Sequence, residues 1–556
     1  MAPPLTRRHF VHSVGALAAA PLLPGCDDSA APGGQPGTPQ ARPETAAFAH
    51  GVASGDPLPD AVILWTRVTV PEATAPFAVR WTVAHDEGLV DVVAEGEAAT
   101  AAGRDYTMKV DAGGLAPDRF YWYGFTVETA SGRVHSPVGR TRTAPAADAD
   151  PDALRFAVVT CADYTRGLYN AYARVAELDD IAAVIHLGDY IYENDRKNAV
   201  RRHEPPVELV ALPEYRRRYA CYRETAELQA VHARHPMIWV WDDHETCDGT
   251  WREGADPSNH DDAEHGPFAD RKAAALQAAL EWMPIRSPDP AVPERIYRSF
   301  RFGNLADLAM LDTRRIGRDR QGEPNAGPLF TQSGDFADPE RHILGAEQEA
   351  WLSDHFANGS SAWRLIGNQV VFAPLLAVGT PDALGLSLYA NPDQWDGYAP
   401  ARERVLAMME GLDNVVFLTG DVHASMAFDI AADPANPLVY DGLSGRGSHG
   451  VEFVTPSISS GGEAEARPDD LEEWLEQLLL RGAGVLRLTN PHLKLFEATR
   501  CGYITLDVRR EALRAEYWLI PTVMEETTEQ TLRFAFDVAA GVPRAVEDLS
   551  VRLGGG

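Results

Sequence analysis

Basic charge, cysteine and long apolar runs are scarce in this sequence. Its 556 residues carry 50 Lys and Arg against 81 Asp and Glu, so the formal net charge is −31. A surface of this sign repels nucleic-acid phosphates and argues against duplex binding, although bound cations would still let a small phosphate compound approach. The five cysteines are too few and too scattered for a disulfide scaffold, but Cys221 and Cys247 would be able to pair after export.

The N-terminal segment is typical of an export signal. Residues 4–26, PLTRRHFVHSVGALAAAPLLPGC, contain Arg7, Arg8 and Phe10, followed by a weakly apolar stretch too short to span a membrane. The segment resembles a twin-arginine signal, and its end resembles a lipoprotein cleavage site with Cys26 as the acylated residue. We therefore predict export to the periplasm or the exterior by the twin-arginine machinery. Either Cys26 is lipidated and anchors the protein to the membrane, or it is lost with the signal.

Composition divides the rest of the chain into a linker and two domains. Residues 27–46 are rich in Pro, Gly and Ala, which predicts a flexible linker. Short alternating runs over 47–147 predict a small antiparallel β-sandwich. Over 152–545, apolar strand-length runs alternate with helical stretches, which predicts an α/β layered domain. Within it we expect an acidic helix at 463–482 and a solvated helix face in the basic run 214–223; residues 546–556 are predicted to be a disordered tail.

Six apolar runs of the second domain are followed at once by polar side chains, most of them of types that bind metals. These are Cys161 and Asp163; Asp189, Tyr190 and Tyr192; Asp242, Asp243, His244 and Glu245; Asp312 and Arg314; Asn368 and Gln369; and Asp421 and His423. In an open α/β sheet, ligands gather outside the carboxyl ends of the strands, so these side chains converge if the strands share one sheet edge. Helix caps would supply Asp and Asn, but not cysteine, tyrosine and two histidines as well. The pattern predicts a metal centre.

The mixture of side chains indicates which metals. Tyrosine and cysteine become good ligands once deprotonated, which requires a strongly acidic ion. Phenolate, thiolate, carboxylate and imidazole together favour ferric iron, whereas Asp and Asn oxygens suit a hard cation such as calcium, manganese or magnesium. We predict that Asp189 bridges two ions and that Tyr192 is a ligand. Tyr190 points the other way in a strand-like chain, which favours a packing role. If Cys161 and Tyr192 do not coordinate, zinc or manganese is the alternative.

The motifs GDYIYE, WDDHE, GNQ and GDVH, in this order, resemble the PhoD-like alkaline phosphatase and phospholipase D family of the calcineurin-like metallophosphoesterase superfamily. The segments FAHGVASGDPLPDAVILWTRV, LDTRRIG, VEFVTPSISS and NPHLK extend the resemblance from about residue 46 to 520. The resemblance implies a four-layer αββα metallophosphoesterase domain after a small β-sandwich. It also implies hydrolysis of phosphate esters with Fe³⁺ and one or two Ca²⁺ ions.

The resemblance assigns roles to individual residues. Cys161, Asp189, Tyr192 and His423 would hold the iron, and Asp189, Asp243, Asn368 and Asp421 the calcium. The catalytic candidates are His244 beside the substrate phosphate, Asn368, and Arg314, which either contacts phosphate or pairs with Asp312. A metal-bound hydroxide would attack phosphorus, calcium would neutralise the phosphate oxygens, and His244 would donate a proton to the leaving group.

One segment departs from the family pattern. Many relatives carry asparagines after DDHE, whereas this chain has TCDGTW with Asp248 and Gly249. Asp248 is either a charged calcium ligand or a sign that one ion is lost, so the number of calcium ions stays open.

Two other functions remain alternatives. One is a phosphodiesterase or phospholipase D that acts on lipid headgroups or cell-wall polymers. The other is a non-catalytic exported protein that binds a cell surface, although such a protein has no need for six chelating strand ends.

Overall fold

The structure is a computed structural model that describes residues 42–71, 75–196, 199–286, 289, 291–461 and 483–554. The predicted export signal with Cys26, most of the predicted linker, the helix predicted at 463–482 and the last two residues of the predicted tail lie outside these ranges. Among the helices within them, none combines the length and the hydropathy needed to cross a lipid bilayer.

The N-terminal part of the chain forms antiparallel β-structure. Its strands are β1 (Val52–Gly55), β2 (Ala61–Arg67), β3 (Phe77–Ala84), β4 (Val92–Thr100), β5 (Thr107–Gly113), β6 (Phe120–Thr129), β7 (Gly132–His135) and β8 (Gly139–Arg142). Strands β3, β4, β6, β7 and β8 make a five-stranded sheet. Its buried face carries Phe77, Val79 and Phe125, which pack against Val62 and Leu64 of β2 in one apolar cluster. The alternation of apolar and polar residues predicted this layer.

The remainder of the chain alternates strands with helices. Its main strands are β9 (Ala153–Val159), β10 (Ala183–His186), β11 (Pro236–Trp239), β12 (Arg298–Phe302), β13 (Ala306–Met310), β14 (Trp363–Gly367), β15 (Leu376–Val378), β16 (Leu388–Tyr389), β17 (Val415–Thr419), β18 (Ser425–Ala431), β19 (Ser448–Val454), β20 (Leu493–Glu497), β21 (Gly502–Arg509), β22 (Ala512–Leu519), β23 (Thr531–Ala539) and β24 (Val546–Glu547). The helices are α1 (Asn170–Ala176), α2 (Leu212–Arg223), α3 (Ala226–Arg234), α4 (Asp262–His265), α5 (Phe268–Trp282), α6 (Gly345–Asn358), α7 (Ala399–Met409), α8 (Ala483–Thr489) and α9 (Leu549–Gly554).

Two large sheets organise these elements. Ten strands form the first sheet in the order β24-β23-β22-β21-β9-β10-β11-β1-β2-β5, and seven form the second in the order β12-β13-β14-β17-β19-β18-β20. The sheets face each other, as the rings of Phe156 on β9 and Phe302 on β12 show by meeting edge to face at 5.0 Å. Helices α2 and α5 pack together on the first sheet, and α6 and α7 on the second. The predicted fold class, four α/β/β/α layers preceded by antiparallel β-structure, is confirmed.

One sheet runs through both parts of the chain. Strand β1 pairs with β11 in parallel, so β1, β2 and β5 extend the first large sheet. At the end of β1, buried Asp56 accepts hydrogen bonds from Arg298 Nη2 at 2.6 Å and from the Arg286 N–H at 2.7 Å. Because Arg298 belongs to β12, this ion pair ties the N-terminal strands to the second sheet. The residue bounds predicted for the two domains stay predictions.

The basic run on α2 differs from its predicted solvated face. Arg218 and Arg223 are buried: Arg218 donates to the carbonyl oxygen of Pro205 at 2.8 Å, and the Arg223 guanidinium lies 4.2 Å from the centre of the Trp65 ring. The interpretation as a wholly solvated face was wrong, because backbone carbonyls and an aromatic face satisfy these cations inside the protein.

Candidate metal centre

The predicted strand ends come from both large sheets. In the first sheet β9, β10 and β11 run parallel, and in the second β13, β14 and β17 run parallel. The loops that follow them carry all the candidate ligands. The expectation of one shared sheet edge was therefore too simple: each of the two facing sheets contributes three carboxyl ends to a common site.

Several candidate ligands have a strained backbone. Four of them have positive φ angles: Cys161 (54°), Asp189 (54°), Asp421 (65°) and His423 (53°). For residues with a Cβ atom this region is unfavourable, by about 1–3 kcal/mol each, and such strain persists only where the surroundings impose it. The turns after β9, β10 and β17 thus hold their side chains in place against local preference, which is typical of a functional site.

Three sets of potential ligand atoms overlap in this site. They are Cys161, Asp189 and His423; Asp189, Asp243 and His244; and Asp242, Asp243 and Asp421, with the atoms of each set within 4.8 Å of one another. Asp189 belongs to the first two sets and Asp243 to the last two. The structure therefore brings seven of the strand-end residues together in a continuous row, with Asp189 placed between a sulfur- and nitrogen-containing end and an all-carboxylate end.

The Asp189 carboxylate is the point where the candidate iron ligands meet. Its Oδ2 atom accepts hydrogen bonds from the Cys161 thiol at 3.4 Å and from the Tyr192 hydroxyl at 3.1 Å. Its Oδ1 atom is buried without a hydrogen-bond partner among the described residues. The Tyr192 hydroxyl is also 3.2 Å from His423 Nε2 and accepts from Ser460 Oγ at 2.8 Å. One oxygen of the Asp189 carboxylate thus accepts from both the thiol and the phenol, while the other has no hydrogen-bond partner among the described residues.

The protonation states at this end of the row limit which cation it would bind. Burial and the charge of Asp189 raise the pKa of the Cys161 thiol and of the Tyr192 phenol well above their ordinary values. Burial, together with Arg166 and His244, lowers the pKa of His423 to about 3, so its ring is neutral and able to bind a metal. The thiol and the phenol would lose their protons only to a strongly polarising ion.

Arg314 occupies the middle of the all-carboxylate end. Its buried guanidinium donates to Asp242, to Asp393 Oδ2 at 2.6 Å and to Asp421 Oδ1 at 2.7 Å, and one of its nitrogens lies 3.5 Å from Asp243 Oδ2. The sequence left open whether Arg314 contacts phosphate or pairs with Asp312. In the structure its side chain pairs with these four carboxylates, and its backbone N–H donates to Asp312. A role of Arg314 toward phosphate stays a prediction.

His244 forms a buried pair with Glu193. His244 Nδ1 lies 2.7 Å from Glu193 Oε2, and the imidazole ring lies 4.1 Å from the Tyr192 ring, centre to centre. Burial alone would lower the pKa of His244, but the carboxylates of Glu193, Asp189 and Asp243 raise it well above its ordinary value. Burial opposes ionisation of Glu193, yet His244 lowers the pKa of Glu193 to about 2. The pair is therefore ionic at neutral pH and offers a proton donor at the site.

Asn368 and Asp248 belong to none of the three ligand sets. The Asn368 side chain accepts from Trp395 Nε1 at 3.2 Å and donates to Thr419 Oγ1 at 3.1 Å, so both ends of its amide are engaged. Asp248 is exposed, and its backbone N–H donates to Glu193 Oε1 at 2.8 Å. Calcium binding by either residue stays a prediction. Cys221 and Cys247, the pair considered for a disulfide, are both unbridged.

Several residues of the site escaped the sequence analysis. Glu193, Asp393, Gln394 and Ser460 each bond to a predicted site residue. Glu193 follows Tyr192 directly, so the motif GDYIYE contained its signal. Ser460 ends the segment VEFVTPSISS, which carried part of the family resemblance, whereas Asp393 and Gln394 lie in a loop without a strand-end pattern.

Glu245 joins two ligand loops. One of its oxygens accepts the N–H groups of Asp189 at 3.1 Å and Asp242 at 2.8 Å, and the other accepts the N–H of Tyr190 at 2.7 Å. The loops after β10 and β11 thus share one buried carboxylate, which sets the spacing between Asp189 and the Asp242–Asp243 pair.

Sequence profiles and known proteins match this chain over most of its length. The profile described as PhoD-like phosphatase matches residues 156–517, and that of the PhoD-like phosphatase N-terminal domain matches residues 33–145. Alkaline phosphatase D of Bacillus subtilis (strain 168) is 35% identical over 507 residues, which span 88% of this chain and 80% of that protein.

Solved structures agree with these matches. A structure described as that of PhoD has a TM-score of 0.79 at 32% identity and covers 92% of this chain and 93% of its own. Purple acid phosphatase PPD1 from yellow lupin (Lupinus luteus) seeds shares the fold, with a TM-score of 0.50, 12% identity and coverage of 89% and 74%. Fold and site together define a phosphoesterase, a hydrolase of ester bonds. The chain belongs to the PhoD-like phosphatase family, as its strand-end motifs predicted.

Replacing Glu245 tests whether it sets the ligand geometry. Glu245→Gln places an amide N–H₂ against backbone N–H donors, so we expect a 10- to 100-fold loss, roughly, in kcat/KM or metal affinity, as is usual for groups that orient ligands. The measurement is phosphate release together with metal content by elemental analysis. Glu253→Gln, on an exposed side chain, is the control and should leave both unchanged. Unaltered activity and metal content in Glu245→Gln would contradict this role.

Proposed function

We propose that this chain is an exported, metal-dependent phosphoesterase whose two kinds of cation share Asp189. The observation that carries the proposal is the unpaired Oδ1 of Asp189 beside two overlapping ligand sets of different chemistry. Thiol, phenol and imidazole suit Fe³⁺ at one end, and carboxylate oxygens suit Ca²⁺ at the other. Zn²⁺ or Mn²⁺ is the alternative if the thiol and the phenol stay protonated.

The residues present fit such a pair of cations. Burial and neighbouring carboxylates raise the pKa of Asp189 and Asp242 well above ordinary values, although His244 and Arg314 respectively oppose this. Burial also raises the pKa of Asp421 to about 6. Crowded carboxylates resist full ionisation, and bound cations would relieve that repulsion. When bound, the cations would supply an activated water for attack on phosphorus and charge compensation for the phosphate oxygens.

The protein side chains would handle binding and proton transfer. His244, held by Glu193, would give a proton to the leaving alcohol, since a donor must lie within hydrogen-bond reach of the reacting oxygen. Arg314, which pairs with both Asp242 and Asp421, would favour their ionised forms beside the phosphate site. Alkyl phosphates, whose alcohol is a poor leaving group, would depend most on the proton from His244. Phosphate monoesters are the substrate class we favour, because the curated relative is named an alkaline phosphatase.

Removal of the iron ligands tests the metal assignment. Tyrosinate bound to Fe³⁺ gives a visible charge-transfer band, so we expect the purified mature protein to be coloured and Tyr192→Phe to lose the band. Cys161→Ala should lose iron and most phosphomonoesterase activity, and a calcium chelator should abolish activity reversibly. Tyr190→Phe is the control, since Tyr190 is buried against His232 at 2.9 Å rather than in the ligand row. A colourless, iron-free but active protein would refute the iron assignment.

Substitution of His244 tests its role as proton donor. For His244→Asn we expect kcat on an alkyl phosphate to fall roughly 10²- to 10⁴-fold, the usual contribution of acid catalysis. The loss should be much smaller on p-nitrophenyl phosphate, whose leaving group needs no proton. Both rates are measured by phosphate release beside His135→Asn, an exposed control. Equal losses on both substrates would exclude the proton-donor role.

Export is a separate element of the proposal. It rests on the twin arginines and on the Cys26 sequence, both of which precede the described residues. We expect replacement of Arg7 and Arg8 by lysine to retain the protein in the cytoplasm, because twin-arginine machinery reads the arginine pair. Cell fractionation measures this, with Arg42→Lys as the control. Cys26→Ser should move the exported protein from the membrane to the soluble fraction if Cys26 is lipidated. Unchanged export of the double-lysine variant would refute this route.

A further inference from the structure

We infer that a small apolar cavity beside His423 binds the organic group of the substrate ester and makes the enzyme selective for short alkyl esters. This inference rests on the proposed function and specifies its substrate class. The cavity has a volume of about 80 Å³. Its walls include Val371, Leu375, His423, Met426, Phe496 and Ala498.

The cavity shares two walls with the candidate metal centre. His423 lies 3.2 Å from the Tyr192 hydroxyl, and Gln394 Nε2 donates to Asp421 Oδ2 at 2.6 Å. A phosphate bound at the row of ligands would therefore have the cavity directly beside it. The group esterified to that phosphate is the part of a substrate closest to the cavity.

Most of the cavity surface is apolar. Val371, Ala424 and Met426 are nearly fully buried in one apolar cluster, and Leu375 and Phe496 pack against it while remaining partly exposed. Partly exposed walls distinguish this cavity from a packing defect, whose lining would be buried all round. The cavity is thus open to an incoming group.

Two of the polar walls, Gln394 and Asp396, are already engaged by other groups of the protein. Gln394 Oε1 already accepts the N–H of Val371 at 2.6 Å. Asp396 accepts the N–H of Leu375 at 2.9 Å and Arg402 Nη1 at 2.9 Å. A hydroxyl or charged group placed against these two side chains would lose water without gaining a partner there, which is unfavourable, whereas an alkyl group would be stabilised by leaving water.

The volume limits the length of the alkyl group. At about 30 Å³ for each water-sized unit, the cavity holds roughly three methyl or methylene groups. Burial of each methylene should raise kcat/KM about fourfold. We therefore expect a rise of about 16-fold from methyl to n-propyl phosphate, and no further rise for n-hexyl phosphate.

The test uses the metal-loaded enzyme with methyl, n-propyl and n-hexyl phosphate. Ala498→Leu fills the cavity, so it should abolish the preference in kcat/KM for n-propyl over methyl phosphate. Phe496→Ala widens the cavity and should shift the preference toward n-hexyl. Ala540→Leu, on an exposed turn, is the matched control. Equal kcat/KM for the three esters, or a wild-type chain-length profile in Ala498→Leu, would overturn the inference.

Binding of alkylphosphonates separates this inference from the proposed function, because it needs no turnover. Calorimetry should give tighter binding of n-propylphosphonate than of methylphosphonate, and Ala498→Leu should remove the difference. If this holds but no ester is hydrolysed, the cavity assignment stands and the proposed monoesterase function fails. If esters are hydrolysed but the two phosphonates bind equally, the function stands and the cavity assignment is wrong.

Discussion

The whole site depends on one buried carboxylate to which several groups donate hydrogen bonds. Asp189 holds the Cys161 thiol and the Tyr192 hydroxyl on one oxygen and leaves the other unpaired. Its own N–H is fixed by Glu245, and its backbone lies in the left-handed region. Such a position is unfavourable for an isolated aspartate, because burial disfavours its charge. The proposed cations, one on each side of this carboxylate, would make the same arrangement favourable and would offset the local backbone strain.

The two ends of the ligand row have different electrostatics. At the first end, His423 is neutral, and the pKa values of the Cys161 thiol and the Tyr192 phenol are raised. Only a strongly polarising ion would remove the protons of these two groups. At the other end, Arg314 holds Asp242 and Asp421 together, so part of the negative charge is already balanced by the protein. This asymmetry supports two different metals rather than a matched pair. The mainly apolar cavity lies beside the first end, where His423 forms a common wall.

Much of the candidate site could be predicted from the sequence, because an apolar run followed by a polar side chain is a local pattern. Apolar runs that end in Asp189, Asp243, Asp421 and His423 marked these residues as candidate ligands, and the structure brings them together. The motif GDYIYE also contained Glu193. The pairing of β1 with β11 could not be predicted, since it joins residues nearly two hundred positions apart. The contacts of Asp393, Gln394 and Ser460 likewise come from loops that only the packing of two sheets brings to the site. Buried arginines such as Arg218 mislead sequence analysis because carbonyls, not carboxylates, satisfy them.

The most direct test of the shared-carboxylate account is anomalous X-ray diffraction from crystals of the metal-loaded protein, collected on both sides of the iron absorption edge. The account predicts an iron peak among Cys161 Sγ, Tyr192 Oη, Asp189 and His423. A second cation peak, without the iron signal, should lie on the Asp243 side of the same Asp189 carboxylate. A single peak, or an iron peak that Asp189 does not touch, would contradict it.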